Sequence, residues 1–157
     1  MRFAVVKLVV AFTLGLLAAP LAADAPQAGT RLPGDPAPRS VLLELRQALA
    51  HASDRFHAMD EAGVLRHVSD RYRTTPLTKA AIREQLRVMF ALYDTLQAHV
   101  RIDEARTVGD QVWVYSTGDI SGRLRWVGTW TPILAWQYEP EVARREQGVW
   151  RLYGFQQ

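Results

Sequence analysis

Apolar residues recur through the first half of the chain at alternating steps of three and four. Leu42, Leu45, Leu49, Ala52, Phe56 and Met59 keep that rhythm after Ser40, which lays one apolar stripe along a helix with Ser40 as its N-cap. Asp60 stands where it can cap a short second helix over EAGVLRHVS, in which Leu65 and Val68 face the core and Tyr72 follows at the exit. A third helix opens at Thr78, past Pro76, and carries Ile82, Leu86, Met89, Tyr93 and Leu96 along one side.

From Ala98 the period drops to two. Ala98, Val100 and Ile102 alternate with His99, Arg101 and Asp103, and VGDQ then turns the chain into QVWVYSTGDISGR. In that strand Val112, Val114 and Ile120 share the face expected to meet the helices, while Trp113, Tyr115, Thr117 and Asp119 share the other. A further strand or bent pair spans Trp126 to Arg145, interrupted by Pro132 and Pro140, which imply an edge, a bend or a bulge. REQG forms a hairpin turn, and VWRLYGFQ closes the sheet. Helices followed by an antiparallel meander make an α+β layered domain.

The last strand leaves neither face wet. Trp150 and Leu152 point one way, Val149, Tyr153 and Phe155 the other. The second set joins Trp113 and Tyr115 in more apolar surface than a lone sheet leaves in water, so we expect a homodimer whose interface includes Trp113, Tyr115, Tyr153 and Phe155.

Ahead of these elements the pattern has no period. Arg2 and Lys7 flank the start of an apolar run, LVVAFTLGLLAA, and APLAAD follows with small residues. This is the layout of an export signal, with cleavage expected after Ala22 or Ala23 and a periplasmic or secreted product. The uncharged run is shorter than the roughly 20 residues a membrane-spanning helix needs, so no membrane attachment is expected after cleavage. Residues 24–38 are rich in proline and poor in large apolar groups, which suits a flexible leader. Residues 39–157 then form one domain.

Charge adds little once the signal is removed. The 19 basic residues lose Arg2 and Lys7, leaving 17 against 16 acidic ones, and a near-balanced surface lacks the excess that nucleic acid requires. Cysteine is absent, which excludes disulfides, thiolate nucleophiles and cysteine-ligated zinc.

A long first helix, a short helix ending in HVSDRYR, a third helix, a VGDQVWV turn and a terminal RREQGVWRLYGF hairpin resemble the nuclear transport factor 2-like superfamily, in particular its small exported bacterial members, over residues 40–155. The resemblance implies a cone in which a strongly curved antiparallel sheet wraps three N-terminal helices and encloses a cavity. It also implies homodimerisation through the convex sheet face. Enzymatic members of that group, such as ketosteroid isomerase, scytalone dehydratase and SnoaL-like cyclases, carry out acid/base chemistry in that cavity.

The candidate chemistry is sparse. His57 and Asp60 lie close in sequence near the end of the first helix, where they pair as a general base and its orienting carboxylate or serve only as surface and capping groups. Tyr72 is a third acid/base candidate. His51, His67 and His99 show no ligand spacing, so neither a metal nor another cofactor is expected. Phe56, Tyr72, Tyr93, Trp136 and Tyr138 are the expected cavity wall, the last two because they share a strand face with Leu134. Asp119 falls on the outer face, and Glu139 and Glu141 read as charges on a solvated edge strand. The expected function is an exported domain binding an apolar or aromatic small molecule in a hydrophobic cavity. The alternatives are a cofactor-free isomerase, dehydratase or cyclase, or an interaction module with a filled cone.

Overall fold

Why the helices stop where they do determines how the sheet meets them. The structure, a computed structural model, describes residues 32–74 and 77–155. The expected signal and most of the expected leader lie outside these residues. Helix α1 runs Arg39–His57, and its N-cap is Pro38, two residues ahead of the expected Ser40, which lies inside the first turn; Pro38 holds the extended conformation that precedes the helix and supplies the first carbonyl, to Leu42 N–H at 3.1 Å. Leu45 and Phe56 of its stripe are buried. Helix α2 is only Glu61–Leu65, with the Asp60 carboxylate accepting from Gly63 N–H at 2.9 Å. Its expected continuation through HVS instead leaves the helix to pair with the last strand.

Helix α3, Lys79–Leu92, starts on the Thr78 hydroxyl, which accepts from Ala81 N–H at 3.3 Å. It was expected to run on to Leu96. The chain turns to strand at Tyr93, and the reason lies 32 residues away. Arg125 donates to the carbonyls of Phe90, Ala91 and Tyr93 at 3.0–3.1 Å, and its backbone N–H takes the Leu92 carbonyl at 2.9 Å. A guanidinium thus satisfies carbonyls that further helix would have used. Tyr93 and Leu96 stay buried, but as strand residues.

Five antiparallel strands form the sheet in the order β1, β4, β5, β6, β7, with β1 at Asp35–Pro36, β4 at Tyr93–Val108, β5 at Gln111–Leu124, β6 at Trp130–Glu146 and β7 at Val149–Leu152. Strands β2 (Arg73–Thr74) and β3 (Leu77–Thr78) make a separate two-stranded ribbon. Strand β1 shows that the end of the expected leader is paired, Asp35 and Pro36 lying opposite Thr107 and Arg106. The REQG turn contains Gln147 and Gly148 at φ 51° and 80°, the left-handed pair that matches hairpin twist. Pro132 and Pro140 sit within β6, which tolerates them because β7 pairs only with Ala143–Glu146 and leaves the rest of that edge open.

Strand β5 runs straight while both its neighbours bulge at the same level. Ile102 lies opposite Ser116 and Glu104 opposite Tyr115, which inserts Asp103 into β4. Gly118 lies opposite Trp136 and Ser116 opposite Glu139, which inserts an extra residue at Gln137–Tyr138 of β6. Tyr138 takes φ 47° there. The hydroxyl of Thr117 joins the two bulges, donating to Asp103 Oδ2 at 2.5 Å and accepting from Tyr138 N–H at 3.0 Å. Tyr138 then stacks on Tyr115 at 5.1 Å between centroids and donates its hydroxyl to Glu104 at 2.5 Å. Extra residues facing each other across a straight strand bend the sheet sharply around the helices.

The concave side holds the core. Phe56, Leu65, Leu86, Leu96, Ile120 and Trp136 belong to one buried cluster, and Leu45, Ile102, Val112, Val114 and Ala143 to another nearer the hairpin ends. Each large side chain removed from water in this way stabilises the fold by roughly 1.5–3 kcal/mol.

The Thr117 hydroxyl should therefore matter more than its partial exposure suggests. Thr117→Val keeps the shape and removes both hydrogen bonds, and should lower the unfolding free energy by about 1 kcal/mol, with Thr117→Ser close to wild type. Urea denaturation measures this; a valine variant as stable as the parent would show that the two bulges do not depend on the hydroxyl.

Candidate functional site

Small residues on α1 keep the helix and the bent sheet from filling the space between them. Ala48 and Ala52, one turn apart, face a hollow of about 110 Å³ whose other walls include Leu45 and Leu49 of α1, Val100 and Ile102 of β4, Val114 and Ser116 of β5, Glu141 and Ala143 of β6, and Trp150, Arg151 and Leu152 of β7. A second hollow of about 70 Å³ shares Leu49, Ala52, Val100 and Leu152 with the first and extends to Phe56, Val68, Ala98 and Trp136. His67 lies on the wall of both.

Few polar groups reach this space. The β6 bulge turns the strand over, so Glu139 and Glu141 face inward opposite Ser116 and Val114. Glu141 is 2% exposed and lines the larger hollow. Burial, and next the Glu141 carboxylate, push the Tyr72 hydroxyl well above its ordinary range, so the phenol stays protonated. Ser116 is also buried and accepts from the Trp136 indole N–H at 3.1 Å.

His67 is placed by backbone pairing. Leu152 N–H donates to the His67 carbonyl at 2.8 Å and Ser69 N–H to the Leu152 carbonyl at 2.9 Å, so residues 67–69 extend the sheet beyond β7. Ser69 donates its hydroxyl to Glu146 at 2.8 Å, tying this segment to the final hairpin. The His67 ring lies 2.7 Å (Nε2) from His51 Nδ1 and 3.4 Å (Nδ1) from the Trp150 carbonyl. Burial, opposed by that carbonyl and reinforced by His51, Arg66 and Arg151, holds its pKa below the ordinary value of 6.5. A neutral ring whose Nδ1–H faces a carbonyl must accept at Nε2, which makes His51 Nδ1–H the donor.

Two openings adjoin the larger hollow. One is a groove whose wall includes Ala48, His67 and Trp150, shared with the hollow, together with Glu44, His51, Arg66 and Arg145. The other runs between α1 and β4 past Leu49, Val100 and Ile102, where Arg46 and Arg101 are balanced by Asp54 and Asp119.

The residues expected from sequence do not converge. His57 accepts from Ala98 N–H at 3.0 Å, joining the end of α1 to β4. Asp60 caps α2 and lies 3.6 Å from Arg55. Tyr72 and Tyr93 are packed in the core and line neither hollow, whereas Phe56 and Trp136 line the smaller one. Tyr138 is on the outer face, because the bulge reverses its direction relative to Trp136. The same bulge corrects the placement of Glu139 and Glu141 on a solvated edge. Asp119 is on the outside, 3.4 Å from His99. On the outer face, Trp113 meets Phe155 edge-on at 5.1 Å, Tyr115 is covered by Tyr138, and Arg144 lies 5.2 Å over the Tyr153 ring. Glu141, Ser116 and the His51–His67 pair were the groups missed. Proline beside Glu141 hinted at a bulge; the histidines, 16 residues apart, gave no local signal.

Helices enclosed by a bent antiparallel sheet, with a hollow between them, define a cone-shaped α+β domain. This is the fold of nuclear transport factor 2-like proteins. It is shared with a conserved protein from Planctomyces limnophilus (16% identity, 74% of this chain and 93% of that one, TM-score 0.65). It is shared too with a ketosteroid isomerase-like protein from Erwinia carotovora atroseptica (20% identity, 73% and 92%, TM-score 0.57). A provisional dehydratase of the NTF2-like family from Streptomyces avermitilis is similar over 74% of this chain and 94% of its own, at 12% identity and a TM-score of 0.59. No family model and no curated protein matches the sequence.

The lowered pKa of His67 gives the fold a pH dependence of definite sign. The unfolded chain binds a proton near 6.5 and the folded chain only at lower pH, so stability falls as pH drops through 6.5 and levels off below the folded value. Asp70 and Asp94, held down by Lys79 and Arg123, add their losses only in the more acidic carboxylate range. Melting temperature followed from pH 7.5 to 5 should decline in the wild type and decline less in His67→Gln. A flat wild-type profile would contradict the assigned protonation.

Proposed function

We propose that this protein is an exported domain that holds a small, single-ring apolar molecule in the hollow of its cone. The observation that carries the reading is the wall: Ala48, Ala52, Val100, Val114 and Ala143 leave apolar space, and Glu141, Arg151, Ser116 and His67 are the few polar groups that border it. An apolar cavity of about 150 Å³ takes up benzene, so the larger hollow suits one ring better than a fused ring system. The basic, apolar and small-residue segments of the first 23 residues support export. Among the described residues no helix is long and apolar enough to cross a membrane.

A second reading, a cofactor-free isomerase or dehydratase, draws on the same site. It is favoured by the inward-facing carboxyl of Glu141 and by the neutral His67 ring on the same wall. The printed descriptions of two of the similar structures, one ketosteroid isomerase-like and one a provisional dehydratase, point the same way. The two readings part at Glu141, since Glu141→Gln leaves uptake intact under the first and abolishes turnover under the second.

We also propose a homodimer through the outer sheet face. Tyr115 and Tyr153 are already buried within one chain, so the residues left for a second copy are Trp113, Phe155 and Tyr138, the last 37% exposed. Sedimentation should give twice the chain mass at micromolar concentration and the chain mass for Trp113→Arg; a monomeric wild type would refute it.

Ala52→Leu tests the principal reading by filling the space shared by both hollows. With benzene or toluene at a hundred times its dissociation constant, the wild type should gain about 2.7 kcal/mol of stability. The leucine variant should fold and show little gain. Failure of the wild type to respond to any single-ring compound would reject the reading.

A further inference from the structure

The hollow and the groove beside it differ in kind. The first is walled chiefly by aliphatic side chains, whereas the second is lined by Arg66, Arg145 and His51 against one carboxylate, Glu44. That carboxylate is already engaged, accepting from the Trp150 indole N–H at 2.7 Å and lying 3.5 Å from Arg145. Ala48, His67 and Trp150 belong to both spaces, so the apolar interior adjoins a mouth with surplus positive charge. The opening between α1 and β4 has no such surplus.

We propose that the molecule held by this protein is an amphipathic anion, a single-ring carboxylate whose ring enters the hollow and whose carboxylate stays at the mouth against Arg66 and Arg145. The inference rests on the hollow being a binding site and adds the class of ligand. Two features fix the orientation. Glu141 and Arg151 line the hollow but not the mouth, so the inner wall is charge-balanced and the surplus positive charge that a carboxylate seeks lies at the mouth. Arg66 and Arg145 are both exposed and belong to different elements, one following α2 and one in β6, so they approach a carboxylate from two directions. Arginine suits this role because its planar donors match a carboxylate in pairs.

Three probes with one carbon skeleton separate charge from apolar fit: phenylacetate, 2-phenylethanol and 2-phenylethylamine, titrated calorimetrically into the purified protein at pH 7. Phenylacetate should bind at least tenfold tighter than the alcohol, and the amine weakest, with the preference shrinking as salt is raised. Arg66→Gln should cut phenylacetate affinity about tenfold without changing that of the alcohol. Arg66→Lys should recover part of the loss, and adding Arg145→Gln should abolish the preference. Equal affinity for alcohol and carboxylate, or an anion preference untouched in Arg66→Gln, overturns the inference and leaves the apolar hollow standing as a site. If none of the three probes binds, and benzene and toluene fail as well, both the inference and the reading beneath it are overturned.

Discussion

The bend of the sheet depends on one side-chain hydroxyl with two partners. Thr117 lies on the straight strand and holds the extra residue of each neighbour, Asp103 on one side and Tyr138 on the other. A single bulge would tilt one strand against the next. Two facing each other turn the whole sheet, and everything on the concave side follows from where that turn falls. Below it, Trp136 reaches inward to pack over Gly118, where a Cβ would lie 2.6 Å from the indole ring. Above it, Glu141 and Ala143 face inward opposite Val114 and Val112, where an uninterrupted alternation from Trp136 would have turned Pro140 and Val142.

The second determinant is the docking of residues 67–69 on β7. It covers the free edge of the last strand, supplies partners for the carbonyls of His67 and Leu152, and sets His67 between hollow and groove. A ring held by backbone on one side and by His51 on the other has little freedom, and burial keeps it neutral. The wall of the interior and the edge protection of the sheet are thus one device.

How much of this was legible depended on the range of the interaction. The helix stripes, the Asp60 cap and the two hairpin turns are written within a few residues of where they act, and the sequence pattern located them. The end of α3 is dictated by Arg125, more than thirty residues on, and a continuing stripe through Tyr93 and Leu96 disguised it. Alternation placed Val112, Val114 and Ile120 correctly on the helix-facing side because β5 has no bulge of its own. In β6 the same rule failed beyond Trp136, since one inserted residue reverses every side chain after it. Tyr138 and Glu141 were misplaced for that one reason. The His51–His67 contact joins two elements through tertiary packing alone, and no spacing rule reaches it.

The hollow itself has an energetic cost that bears on its purpose. Unfilled core volume costs about 24 cal/mol per Å³, so a space of about 110 Å³ forgoes roughly 2–3 kcal/mol of packing, a sizeable share of the 5–15 kcal/mol that holds a typical domain together. The loss comes from identifiable positions. Ala48 and Ala52 occupy successive turns of α1 where leucine would serve a solid core better, and alanine carries no other role there. Glu141 compounds the cost, because taking a carboxyl out of water is expensive even with Arg151 on the same wall. Small residues and an inward carboxyl around the same space oppose stability together, and such departures from the best core packing concentrate where a protein acts on something other than itself.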